Sequence, residues 1–239
     1  MDISGVIFVF LIITGASALQ GAVGYGLNII AAPMLMLLDQ TLVPGPIIVA
    51  ALLLTILMIL RNRDGVDLKS VRWMAFGMLP GAILASLMLP YIPVRVISFA
   101  LAGLVLAGVA ISLTGFHFPP RRWIMLAAGF VSGYGSTLAS IGGPPVALIN
   151  QELPGPRLRA TLSTYFTILS FVSILSLIPA GRFGSHELLL SLVMLPGVVL
   201  GFLLSKPIAV RLDQGYTRIA ILGVSAAAGI LLVIQQLLR

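Results

Sequence analysis

Gly-Tyr-Gly occurs twice in the chain, at residues 24–26 and 133–135, each time among neutral polar side chains and upstream of proline. Around the first stand Gln20, Gly24, Tyr25, Gly26 and Asn28, with Pro33 beyond. The second is followed by Ser136, Thr137, Ser140, Gly142, Gly143 and Pro144, and Thr164 comes one segment later. Glycine allows a sharp turn and a close approach of ligand to backbone, and proline removes a donor and fixes φ. A helix broken there exposes free N–H groups at a positive dipole end, which can receive an anion without a cationic side chain. Hydroxyl and amide side chains would replace the hydration the anion loses. Taken singly, each Gly, Ser or Thr is more simply a close-packing residue of a membrane helix. The two matched tips together point to a binding site.

Other chemistries lack their parts. There is no cysteine, hence no thiolate metal site or disulfide, and no metal or other cofactor is expected. His117 and His186 lie in short polar stretches and read as interfacial loop residues. Ser136 could suggest an intramembrane serine nucleophile, but no histidine falls inside an apolar run to serve as its base. The acids Asp2, Asp39, Asp64, Asp67, Glu152, Glu187 and Asp213 all fall at the ends of apolar runs or between them. Proton relays and cation pumps place carboxylates deep in a span.

The elements that must position these residues are membrane helices. Of the 239 residues 59% are hydrophobic and 9% charged, against roughly 25% charged in soluble domains. Mean hydropathy is +1.13. A soluble enzyme, a nucleic-acid-binding domain and a disordered chain are excluded, and the net charge of +7 carries topology information instead. Nucleic acid is not an expected partner; the bilayer is. The N-terminal apolar run lacks a basic flank, since the first Lys or Arg is Arg61, and reads as a retained membrane segment. Apolar runs at 42–60, 73–90, 94–114, 161–180, 188–208 and 216–238 approach or reach the roughly 20 residues a spanning helix needs. Residues 3–38 and 123–150 are apolar but interrupted. A single crossing by 123–150 would divide the basic residues eight to six; a segment that enters and leaves on one side divides them eleven to three. The positive-inside rule favours the second arrangement, with both termini outside. At 28 residues the segment is too short for two full crossings, so two half-length helices meeting near mid-membrane are expected, their tip shielded from lipid.

The chain also repeats itself. MLPGAILASLML at 78–89 answers MLPGVVLGFLLS at 194–205, and GYGLNIIAAPMLMLL at 24–38 answers GYGSTLASIGGPPVALIN at 133–150. The expected fold is an all-α polytopic membrane protein of two inverted repeats. Residues 1–114 form the first, with a broken hairpin at 3–38 and spans at 42–60, 73–90 and 94–114. After a linker at 115–122, residues 123–239 form the second, with a broken hairpin at 123–150 and spans at 161–180, 188–208 and 216–238. Inverted repeats with matching broken helices mark secondary transporters with a midplane site between the repeats. A small anion is the expected substrate; one charge crossing 100 mV gains about 2.3 kcal/mol, enough for export up a roughly 50-fold gradient. An anion channel or a non-transporting scaffold are the competing readings, and a homodimer stays open.

The duplicated Gly-rich segments, the Leu-Pro-Gly of the later spans and the eight-segment size resemble the sulfite exporter TauE/SafE family over nearly the whole chain. The resemblance implies a bacterial inner-membrane transporter that exports sulfite or an organosulfonate such as sulfoacetate. It also implies that residues 21–33 and 133–145 line the path.

Overall fold

The computed structural model describes residues 3–62, 65–88, 94–114, 119, 121–139, 142–178 and 183–237. Among these there is no strand. Ten α-helices follow in order: α1 (Ile3–Val23), α2 (Leu27–Leu38), α3 (Gly45–Arg61), α4 (Leu68–Met88), α5 (Val94–Leu113), α6 (Arg122–Ala139), α7 (Gly143–Ile149), α8 (Gly155–Leu177), α9 (Ser185–Leu212) and α10 (Thr217–Leu237). A one-turn 3-10 helix (Gln40–Leu42) joins α2 to α3. Four helices, α1, α4, α8 and α9, are long and apolar enough to cross a membrane, at 21, 21, 23 and 28 residues. Leu189, Leu192 and Leu203 of α9 and Ile83 and Leu87 of α4 are exposed, as lipid-facing side chains should be.

Several positions in the two halves share one spacing, although other element ends do not, such as the starts of α3 and α8. Val23 and Ala139 end α1 and α6, Leu27 and Gly143 open α2 and α7, Arg61 and Leu177 end α3 and α8, and Gly81 and Gly197 close the two Leu-Pro-Gly motifs; each pair is 116 positions apart. The two Gly-Tyr-Gly tripeptides are 109 apart and out of that register. This corrects the expected second break. Residues 133–135 run inside α6, and the interruption comes after Ala139. Two forces decide it. Pro144 stands in the first turn of α7, where its missing N–H costs nothing and its fixed φ suits a helix start. Gly133 is committed elsewhere, because a Cβ on it would run into the Met78 carbonyl oxygen of α4.

The expectation of two half-length helices over 123–150 is also corrected, since α6 has 18 residues and α7 only 7. At 1.5 Å per residue, α1 is ~31 Å long, about the full thickness of the ~30 Å hydrocarbon core. Helix α6, with 18 residues, spans ~27 Å. Their partners α2 and α7 are shorter, with 12 and 7 residues.

The chain divides into two compact units. The first holds residues Met1–Val66 and Gly155–Asp213, the second Asp67–Pro154 and Gln214–Arg239. Each draws on both halves of the chain.

In the first unit α1 and α9 pack in parallel. A Cβ on Gly197 would approach Phe10 O at 3.0 Å, one on Gly201 would strike Thr14 O, and one on Gly21 would strike Ser205. The core beside them is Val9, Ile13, Leu54, Met58, Met194 and Val198, with α3 and α8 packed together. After α2, Asp39 accepts hydrogen bonds from the hydroxyl and the backbone N–H of Thr41 at 2.7 and 2.9 Å. Those donors hold its carboxyl below the ordinary range.

In the second unit α4 and α6 repeat the device. Gly77 and Gly81 of α4 abut the carbonyls of Leu126 and Phe130, while Gly129 and Gly133 of α6 abut those of Met74 and Met78. Two small-xxx-small faces thus let two backbones touch. Helices α5 and α10 pair beside them, with Leu106 against Gly229. Arg122, at the start of α6, lies over the Trp73 ring, and Asn150, just after α7, bonds Met74. Both ends of the α6–α7 segment thus meet one stretch of α4.

Candidate functional site

Three residues separate α1 from α2, and two of them are glycines at positive φ, Gly24 at 111° and Gly26 at 130°. An L side chain is strained in that region, which is why the turn is built of glycine. Tyr25 between them is buried, at 1% exposed. Gln20, in the last turn of α1, staples the turn from both sides. Its backbone carbonyl accepts the Gly24 N–H at 2.7 Å. Its side-chain oxygen accepts the Leu27 N–H, the first of α2, at 2.9 Å. Asn28 stands in the same turn, and its side-chain oxygen is buried with no protein donor among the described residues. Pro33 lies within α2 rather than at the break, and its side chain is outside the described set.

Two arginines close the other side of this turn. Arg61 ends α3 and donates to Gly21 O at 2.5 Å, to Ser205 Oγ at 2.7 Å and to Phe202 O at 3.2 Å, with its guanidinium 4.4 Å above the Phe202 ring. Arg159 of α8 is 4% exposed and donates to Ala22 O at 3.2 Å. Its fork also grips Asp213 through two bonds of 2.9 and 2.7 Å. Adjacent carbonyls at the negative end of the α1 dipole thus each receive a guanidinium. Asp213 neutralises Arg159. Arg61 has no carboxylate partner among the described residues. The positive end of α2 and the negative end of α1 meet at this turn and offset one another, so the positive charge in excess among the described residues is the Arg61 guanidinium. A guanidinium of this kind is planar, always charged and matched in geometry to oxyanions.

The second unit holds the other group of candidates. Gly142, just before α7, comes so close to α6 that a Cβ would lie 2.7 Å from Ser132 O and 3.0 Å from the Ser136 Cβ. Ser132 is fully buried and its hydroxyl has no partner among the described residues. Thr137 gives its hydroxyl back to Gly133 O at 3.0 Å. Gly143 and Pro144 open α7. Tyr134 stacks on Phe130 and points its hydroxyl at Met88 Sδ, 3.8 Å away. Gly133, Tyr134 and Gly135 therefore belong to the α6 shaft, and Gly133 to its packing on α4. Thr164, on α8 of the first unit, bonds Ala160 O of its own helix at 2.8 Å. Ser140 lies outside the described residues, as do Asp2, Arg63, Asp64, His117, Arg182 and Arg239.

Two breaks of this kind, each beside a Leu-Pro-Gly helix, are what the comparison with known families bears on. The family model described as sulfite exporter TauE/SafE matches residues 9–232. The chain belongs to that family. No curated protein and no solved structure matches it. TauE/SafE proteins are membrane transporters, and the apolar helices of this member are of the length such a role requires. Three residues of this TauE/SafE chain that the sequence did not mark as site candidates are Arg61, Arg159 and Asp213. A usable signal was present. Gly155-Pro156 is a helix-start pair, since proline is favoured in the first turn. Starting the helix there, instead of at residue 161, places Arg159 one turn inside it.

Proposed function

We propose that this protein exports a small anion, a sulfur oxyanion or organosulfonate such as sulfite or sulfoacetate, from bacterial cytoplasm across the inner membrane. Transport proceeds by alternating access between two inverted repeats. The anion loads at the turn between α1 and α2, on the face where Arg61 and Arg159 stand, and passes to a site between the repeats. The observation that carries this reading is Arg61: a guanidinium at a glycine-built helix break, with no carboxylate among the described residues to satisfy it. The family membership supplies the class of solute. The membrane potential, negative inside, supplies the drive, worth about 2.3 kcal/mol per charge at 100 mV.

Proteoliposomes loaded in turn with sulfite, sulfoacetate, taurine and chloride, at set potentials, test it. We expect saturable movement of one of the sulfur anions, uphill efflux that disappears when the potential is clamped at zero, and a KM raised about tenfold or more in Arg61→Gln. Arg61→Lys should recover part of the loss, because it returns the charge without the fork. Movement of none of the four solutes, or full activity in Arg61→Gln, would sink the proposal.

A further inference from the structure

The second unit contains a cavity of about 280 Å³ between α5, α6 and α7 that the anion path does not use. Its walls are apolar: Leu104, Gly108 and Ile111 on α5, Ala127 and Val131 on α6, and Leu148 on α7. Ala107 of α5 and Ala127 of α6 are exposed small residues in its lining, so the space is a groove open at its side. From Leu104 to Ile111, and from Ile124 to Val131, the walls run about 10 Å along the helix axes. In a bilayer such a groove cannot hold water, because its lining offers no hydrogen bonds.

One end of the groove is cationic. Arg121 precedes Ile124 by three positions and so continues the same helix face one turn further. Arg218 of α10 donates to the Ser112 carbonyl at 2.9 Å, next to Ile111. The Arg218 Nε–H is buried with no partner among the described residues. Lys69, Arg72 and Arg122 stand at the same ends of α4 and α6. The acids of that end are Glu152, which is exposed, and Asp67, which accepts from the Ser70 N–H and hydroxyl. Positive charge is in excess. Trp123, 80% exposed, stands one turn above Ala127, where interfacial aromatic residues sit.

We infer that this groove is a binding site for one anionic phospholipid, its acyl chain laid between α5, α6 and α7 and its phosphate held at Arg121 and Arg218. Basic clefts between membrane helices on the cytoplasmic side favour such headgroups. The lipid ties α7, the short arm of the broken segment, to α5.

The chain has two tryptophans, Trp73 and Trp123, so Trp73→Phe leaves a single reporter at the mouth of the groove. Trp73→Phe protein is reconstituted in phosphatidylcholine carrying a small fraction of phosphatidylglycerol, with bromine on the acyl chains of one lipid at a time. At equal mole fraction, brominated phosphatidylglycerol should quench Trp123 several-fold more than brominated phosphatidylcholine. Arg121→Gln should reduce that preference. Ala107→Phe and Ala127→Phe, which fill the groove from α5 and from α6, should each abolish it. Equal quenching by the two lipids overturns the inference, as does a preference unchanged in both groove-filling variants. A Trp123 shielded from both lipids would mean that a second copy of the chain covers the groove, and would overturn it too.

Discussion

Arg159 shows what one side chain is asked to do here. It is buried, it caps the end of α1, and it is neutralised by Asp213, whose own side chain is 26% exposed. Removing one partner of a buried pair costs more than the pair is worth, because the other charge is left behind. Asp213→Asn should therefore destabilise the protein by about 3 kcal/mol, read as a lower midpoint of thermal unfolding in detergent. The double variant Arg159→Met, Asp213→Leu should recover most of that stability. A double variant less stable than the single one would show that the guanidinium acts chiefly on Ala22 O. The neighbouring glycines work differently. Gly24→Ala and Gly26→Ala each force an L side chain to positive φ at a cost of about 1–2 kcal/mol. The expected result is impaired transport at unchanged membrane insertion.

At the scale of the element, the decisive contacts are backbone on backbone. Gly77 and Gly81 on α4 and Gly129 and Gly133 on α6 leave no room for a methyl group. Gly81→Ala and Gly133→Ala should each cost about 1–3 kcal/mol as overpacked sites. Gly103→Ala should be neutral, because nothing lies within 4 Å of its Cβ position. Unfolding in micelles would separate the two classes, and equal loss in all three would refute the packing account. The same glycines show how far the sequence could be read. Apolar runs, prolines and the recurrent Leu-Pro-Gly were enough for a helical membrane protein of a recognisable family. They were not enough to tell a glycine that bends the chain from one that admits a neighbour. Residues 24–26 and 133–135 are the same tripeptide. Only the first is a break, because the demand for contact on Gly133 comes from Met78, far away in sequence. Arg159 was hidden for a related reason, since helix ends drawn from hydropathy stop at the first charge. A buried guanidinium is apolar enough along its stem, and paired enough at its head, to lie beyond that limit.

At the scale of the molecule, the absence of cysteine makes topology directly measurable. Single cysteines at Arg122 and Glu152 should react with an impermeant thiol reagent from one side of the membrane, and a cysteine at His186 from the other. Reaction of Arg122→Cys and Glu152→Cys from opposite sides would undo the hairpin arrangement and, with it, the inversion of the repeats. Asp39, between α2 and α3, has its pKa lowered by the hydroxyl and backbone N–H of Thr41. Its contribution to stability is present above about pH 4 and lost as the pH falls through its depressed value, so acid alone should loosen the α2–α3 connection first.

The pairing of α1 with α9 has a bearing on how the protein comes to exist. A nascent chain delivers α1 first, and Ser185, where its long partner begins, emerges only after 161 intervening residues. At 5–20 residues per second that interval is on the order of ten seconds or more. Through it the small-residue stripe of α1 must wait, uncommitted, beside the insertion machinery. Biogenesis of this transporter is thus a matter of keeping α1 available until its distant partner α9 has been made.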